Sequence, residues 1–83
     1  MSIIGADYSN RNALHNGETI TVDGRSYRKI DGSIQKGDLY FAQRNQGPKI
    51  LTARSINVED SWVVPNEPAY VYDLDECVKV EEI

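Results

Sequence analysis

Apolar and polar positions alternate over Thr19-Ile20-Thr21-Val22 and again over Arg25 to Ile30, with Asp23-Gly24 between the two runs. Asp-Gly in that position predicts a two-residue hairpin, because both turn positions need positive φ. The turn fixes the register: Val22 faces Arg25, Thr21 faces Ser26, Ile20 faces Tyr27 and Thr19 faces Arg28. Ile20, Val22 and Tyr27 then share an inward face, and Thr19, Thr21, Ser26 and Arg28 the outward one.

Asp31 to Gly37 breaks the alternation with polar residues and two glycines and reads as a loop. Asp38 to Arg44 follows, apolar on both faces over Leu39-Tyr40-Phe41-Ala42, as expected of a central strand. Asn45-Gln46-Gly47-Pro48 is turn chemistry, and Lys49 to Arg54 returns antiparallel. A polar link from Asn57 to Ser61 leads to Trp62-Val63-Val64, which Pro65 stops. Tyr70-Val71-Tyr72 and Cys77 to Glu81 are the remaining strand-like runs, joined by the acidic turn Asp73 to Glu76. Short runs punctuated by Gly and Pro predict an all-β fold: a small antiparallel barrel or a compact sandwich of five to seven short strands.

Residues 1–17 carry no such pattern. Ser9 to His15 can form one helical turn, with Ser9 as N-cap and Gly17 just past the end. Asn and Ser compete with backbone hydrogen bonds there, so the expectation is an irregular arm with at most that one turn. At 83 residues the chain reads as one domain, 1–83, with no linker, repeat or low-complexity tract. An apolar share of 40% permits a modest core, to which a homo-oligomer would add buried surface.

Charge changes the picture more than composition does. The net charge is −4, yet residues 1–54 hold eight Lys/Arg against five Asp/Glu, and residues 55–83 hold one Lys against eight acids. The fold therefore brings a basic half against an acidic one, with partial neutralisation as the plain outcome. No apolar run is long enough to span a bilayer, and Met1 to Gly5 lacks the features of a signal peptide. Cys77, the single cysteine, has no internal disulfide partner; the expected setting is reducing and cytoplasmic, without membrane association.

Catalytic and metal chemistry find little support. One His and one Cys, His15 and Cys77, do not make a zinc set, and Asp73, Asp75 and Glu76 lack the glycine and distal Glu of a calcium loop. Cys77 reads as a structural thiol with no orienting group for a nucleophile. Gly32 and Gly37 are not followed by the Lys-Ser/Thr of a phosphate loop. The expectation is a protein that is not an enzyme and carries no cofactor. Binding remains. Arg25, Tyr27, Arg28, Lys36, Tyr40 and Arg44 interleave cations with aromatics, a mixture able to hold phosphates and stack rings, and they form the candidate ligand- or partner-binding set. Tyr27, Tyr40 and Phe41 are equally what a small β core needs, and Trp62 is expected in the core or an interface. Net acidity argues against general nucleic-acid affinity.

Tyr27-Arg28-Lys29-Ile30 followed by Gly32-x-Ile34-Gln35-x-Gly37-Asp38-x-Tyr40 resembles a pattern of short uncharacterised tailed-phage accessory proteins: a Tyr-Arg pair, an Ile-Gln bend, then Gly-Asp and an aromatic. The resemblance covers about fourteen residues and brings no catalytic residue with it. In it Gly37 allows the bend and Asp38 bonds the loop backbone. It implies an accessory protein of the infected bacterial cytoplasm that blocks a host or antiviral-defence component by stoichiometric binding. Two other expectations stand beside it: a sponge holding a small anionic or nucleotide signal between protomers, and a structural or assembly component of a virion.

Overall fold

The computed structural model describes residues 9–44, 47–66 and 71–83, with the side chain of Arg44 outside the description. Seven strands run β1 (Ile20–Val22), β2 (Arg25–Lys29), β3 (Leu39–Arg44), β4 (Gly47–Asn57), β5 (Trp62–Pro65), β6 (Tyr72–Asp73) and β7 (Val78–Glu82), preceded by α1 (Ser9–His15). All pairings are antiparallel, in the order β1-β2-β7-β3-β4-β5-β6, and the sheet curls into a half-barrel. The all-β expectation is met in its barrel form.

The Asp23-Gly24 hairpin has the predicted register at Ile20↔Tyr27, Thr21↔Ser26 and Val22↔Arg25, and Ile20, Val22 and Tyr27 are buried together. Asp23 and Gly24 both take positive φ, as the turn demands. The C-terminal strand then inserts between β2 and β3. Its Val78 and Val80 join the same cluster, and Ile83 N donates to Ser26 O at 2.9 Å.

The central-strand reading of β3 also holds. Phe41 packs into one buried cluster with Leu14, Ile20, Val22, Tyr27, Val78 and Val80. Its neighbours Tyr40 and Ala42 point the other way, into a second cluster with Ile34, Leu51, Ala53, Val63 and Tyr72. One strand thus separates two half-cores, and each needs its own cover. The helix covers the first through Leu14; the loop after β2 reaches over the second through Ile34.

Three details depart from the sequence reading. The arm holds seven helical residues, Ser9–His15, ended by a Schellman motif in which Gly17 N donates to Leu14 O (3.1 Å) and Glu18 N to Ala13 O (2.8 Å). Burial of Leu14 outweighs the poor intrinsic propensity of Asn and Ser, since tertiary packing supplies most helix stability. Gly47 and Pro48 belong to β4, paired with Arg44 and Gln43; the rest of the expected turn, residues 45 and 46, lies outside the described residues. Pro48 is tolerated because β5 pairs β4 only from Ala53 onward, so its missing donor faces no neighbouring strand. Strand β4 also runs well past Arg54, and an irregularity between Ala53 and Ser55 bends it from β3 toward β5. The expected strand residue Tyr70 and residues 1–8 fall outside the described set.

Candidate functional site

The loop after β2 is built around a side chain that imitates backbone. Asp38 Oδ2 accepts the Gln35 amide at 2.7 Å, while Asp38 N donates to Gln35 O at 3.0 Å. Gly37, at φ +92°, makes the bend, and its amide donates to Ala53 O at 2.8 Å. Ala53 N returns a bond to Asp38 O at 2.9 Å, which ties the loop to β4. From β7, Lys79 Nζ reaches Asp38 Oδ2 at 3.3 Å and Ser33 O at 3.5 Å. The Gln35 amide, with help from Lys79 and against some desolvation, holds the Asp38 carboxyl below the usual aspartate range.

Between this loop and the start of β7 lies a groove of about 530 Å³. Its apolar walls come from Ile30, Ile34, Ile56 and Leu74, and Val58 stands at the β4–β5 turn. Lys29, Lys79 and His15 supply basic nitrogens, and Asp31 one carboxylate. Cys77, half-buried, lines it too, so the only histidine and the only cysteine border one cavity although 62 positions apart in sequence.

The candidate set read from the sequence is not assembled into one site. Arg25 and Arg28 lie at positions of opposite parity on β2, so they project to opposite faces. Each is engaged by the C-terminal strand: Arg25 Nη1 with Glu82 Oε1 at 3.5 Å, and Arg28 Nε with Glu81 Oε2. Tyr27 and Tyr40, 6% and 0% exposed, sit in the two separate half-cores. Stacking on a ligand is therefore corrected to core packing, because a small barrel needs its largest rings inside. Lys36 is exposed in the loop, and Arg44 closes β3 with its side chain outside the description. The candidate set left out Lys29, Ile34 and Lys79. The Gly-flanked loop was the available signal for the groove; which strand would lie beneath it was not readable.

A second surface stands out at the β4–β6 end. Val58 is 78% exposed, Val71 37% and Trp62 36%, which removes Trp62 from the core. Trp62 pairs with Asp73 across β5 and β6, and exposed Glu59, Asp60 and Asp75 share that end. Asn57 and Asp60 rigidify the turn: Asp60 N donates to Asn57 Oδ1 (3.0 Å) and Asn57 Nδ2 to Asp60 Oδ2 (3.1 Å). Among the described residues no cluster of three or more His, Cys, Asp or Glu is placed to hold a metal ion, and no helix is long and apolar enough to cross a membrane. Comparison with known proteins returns no matching family model, no similar curated protein and no similar solved structure.

Proposed function

We propose that this chain is a small non-catalytic binding protein that blocks a larger protein by stoichiometric occlusion, and that the β4–β6 end makes the contact. The observation that carries the reading is Trp62, together with Val58 and Val71, held at the surface among carboxylates. A tryptophan left in water by a chain short of core residues is poorly explained by stability. It is well explained as an interface anchor, since hot spots favour Trp inside a rim that excludes water. The surrounding Glu59, Asp60, Asp73 and Asp75 select a basic partner surface and steer its approach.

The tailed-phage resemblance of residues 27–40 suggests the setting: the cytoplasm of an infected bacterium, with a host or antiviral-defence component as the target. Basic surfaces that handle nucleic acid fit the acidic end best, because an acidic face can compete there for the same cations.

Native mass spectrometry of complexes captured from a bacterial lysate tests this. Wild-type protein should retain one partner in fixed ratio, at low salt more than at high salt. Trp62→Ala should weaken that binding by about thirty-fold or more, the scale of a hot-spot truncation of about 2 kcal/mol. Asp73→Lys should slow association. A lysate that yields no stoichiometric partner, or a partner held equally by wild type and both variants, sinks the reading.

A further inference from the structure

We infer that the groove between residues 30–35 and the start of β7 binds a small organic anion: one phosphate or carboxylate on an apolar or ring-shaped body. This site shares only Val58 with the β4–β6 contact proposed above and does not rest on it.

The size comes first. About 530 Å³ lies within the roughly 300–1,000 Å³ that small-molecule sites occupy. The lining divides into two chemistries. Ile30, Ile34, Ile56 and Leu74 offer apolar walls to a ring or short chain, and Lys29, Lys79 and His15 offer donors. Against them the described lining holds one carboxylate, Asp31, and Asp38 takes up Lys79 beside it. A lysine left unpaired among the described residues against apolar walls, in a chain whose net charge is −4, calls for an explanation.

One of the groove's two lysines escapes the pairing seen on β2. Arg25 and Arg28 are each held by a glutamate, whereas Lys29 has no ion pair or hydrogen bond among the described residues. Lys79 is positioned by Asp38 and Ser33 O, which fixes its ammonium at the groove wall. Gly32 lies beside it: a Cβ there would make an ordinary contact with Lys79 Nζ at 3.6 Å. The Lys29 ammonium, with the ion-paired Lys79 beside it on the adjacent strand, suits a single anionic head group.

The surroundings limit the ligand to a compact one. Glu59, Asp60, Asp73 and Asp75 adjoin the far wall at Val58 and Leu74, so an extended polyanion leaving the groove would meet repulsion.

Calorimetry with adenosine monophosphate, phenyl phosphate and benzoate tests the site, with inorganic phosphate and adenosine as the separated halves. At least one organic anion should saturate at millimolar concentration or below, and each half should bind at least about ten-fold more weakly, since neither engages both walls and cations. Lys29→Ala should weaken binding about ten-fold, the equivalent of about 1.4 kcal/mol. Lys36→Ala, an exposed cation outside the groove, should leave it unchanged, as should Trp62→Ala. Alkylation of Cys77, which lines the groove, should slow when the ligand is bound. Failure of all three probes to saturate, or equal affinity in Lys29→Ala and Lys36→Ala, overturns the inference. Loss of binding in Trp62→Ala would also overturn it, by moving the ligand to the other surface.

Discussion

Replacing Ile34 by alanine should cost about 2 kcal/mol, although the residue belongs to no strand or helix. Ile34 is a loop side chain buried in the second half-core, where it packs with Tyr40, Ala42, Leu51, Ala53, Val63 and Tyr72. Truncations of Ile or Leu in cores cost about 2–5 kcal/mol. The low end applies because Ile34 also lines the groove, so water can enter the space left behind. The competing candidate for holding the loop is the Lys79–Asp38 ion pair. Its side chains are 19% and 30% exposed, and partly exposed pairs are worth at most about 1 kcal/mol. Burial should therefore win over charge. Urea unfolding decides: with a slope near 1 kcal/mol/M for a chain this short, Ile34→Ala should lower the midpoint by about 2 M. Lys79→Met keeps the apolar stem and should lower it by under about 1 M. Cys77 alkylation should quicken in Ile34→Ala as the loop opens, and less so in Lys79→Met. If Lys79→Met destabilises as much as Ile34→Ala, the loop is held by its ion pair and the reasoning fails.

Two further outcomes probe the same loop. The folded state favours ionised Asp38, so its contribution is present above the ordinary aspartate pKa of about 3.9 and lost as pH falls through the lower folded value. Urea midpoints from pH 7 to pH 2 should thus drop more steeply below about pH 4 in wild type than in Asp38→Asn; parallel curves would remove Asp38 from this role. Gly37→Ala should cost about 1 kcal/mol from backbone strain alone, because φ is +92° and nothing lies within 4 Å of the added carbon. A loss of several kcal/mol would show instead that the turn cannot adjust at all.

Much of the fold was legible because its signals are local. Asp23-Gly24 dictates a hairpin and its register, and Leu39 to Ala42 announces a strand covered on both sides. Gly37 and Asp38 read correctly as a bend and its brace. The helix was underestimated because its stability comes from Leu14 meeting residues of β1, β2, β3 and β7, contacts that no local window contains. The candidate site was less legible for the same reason. Lys29 and Lys79 are fifty positions apart and reach one groove only after β7 has inserted beside β2. Parity along β2 was readable, and it already separated Arg25 from Arg28. What was hidden was the partner strand that would neutralise both.

The charge asymmetry between the two halves resolves differently at the two ends of the sheet. At the β2–β7 seam the basic first half meets the acidic last strand, and Glu81 and Glu82 take up Arg28 and Arg25. These pairs are exposed and add little stability, but they leave that seam near neutral. Among the described residues Glu59, Asp60, Asp73 and Asp75 take no such ion pair, and Lys79, the sole cation after residue 54, is turned toward the loop. A chain optimised for stability alone would scatter those acids. Concentrating them beside an exposed tryptophan raises self-repulsion and leaves apolar surface wet, two costs that an arriving basic surface would relieve together. The groove, on the other side of Val58, keeps Lys29 available instead. One small sheet thus presents an acidic, apolar end and a cavity holding an unpaired lysine within a few residues of each other, and Trp62→Ala and Lys29→Ala read the two separately.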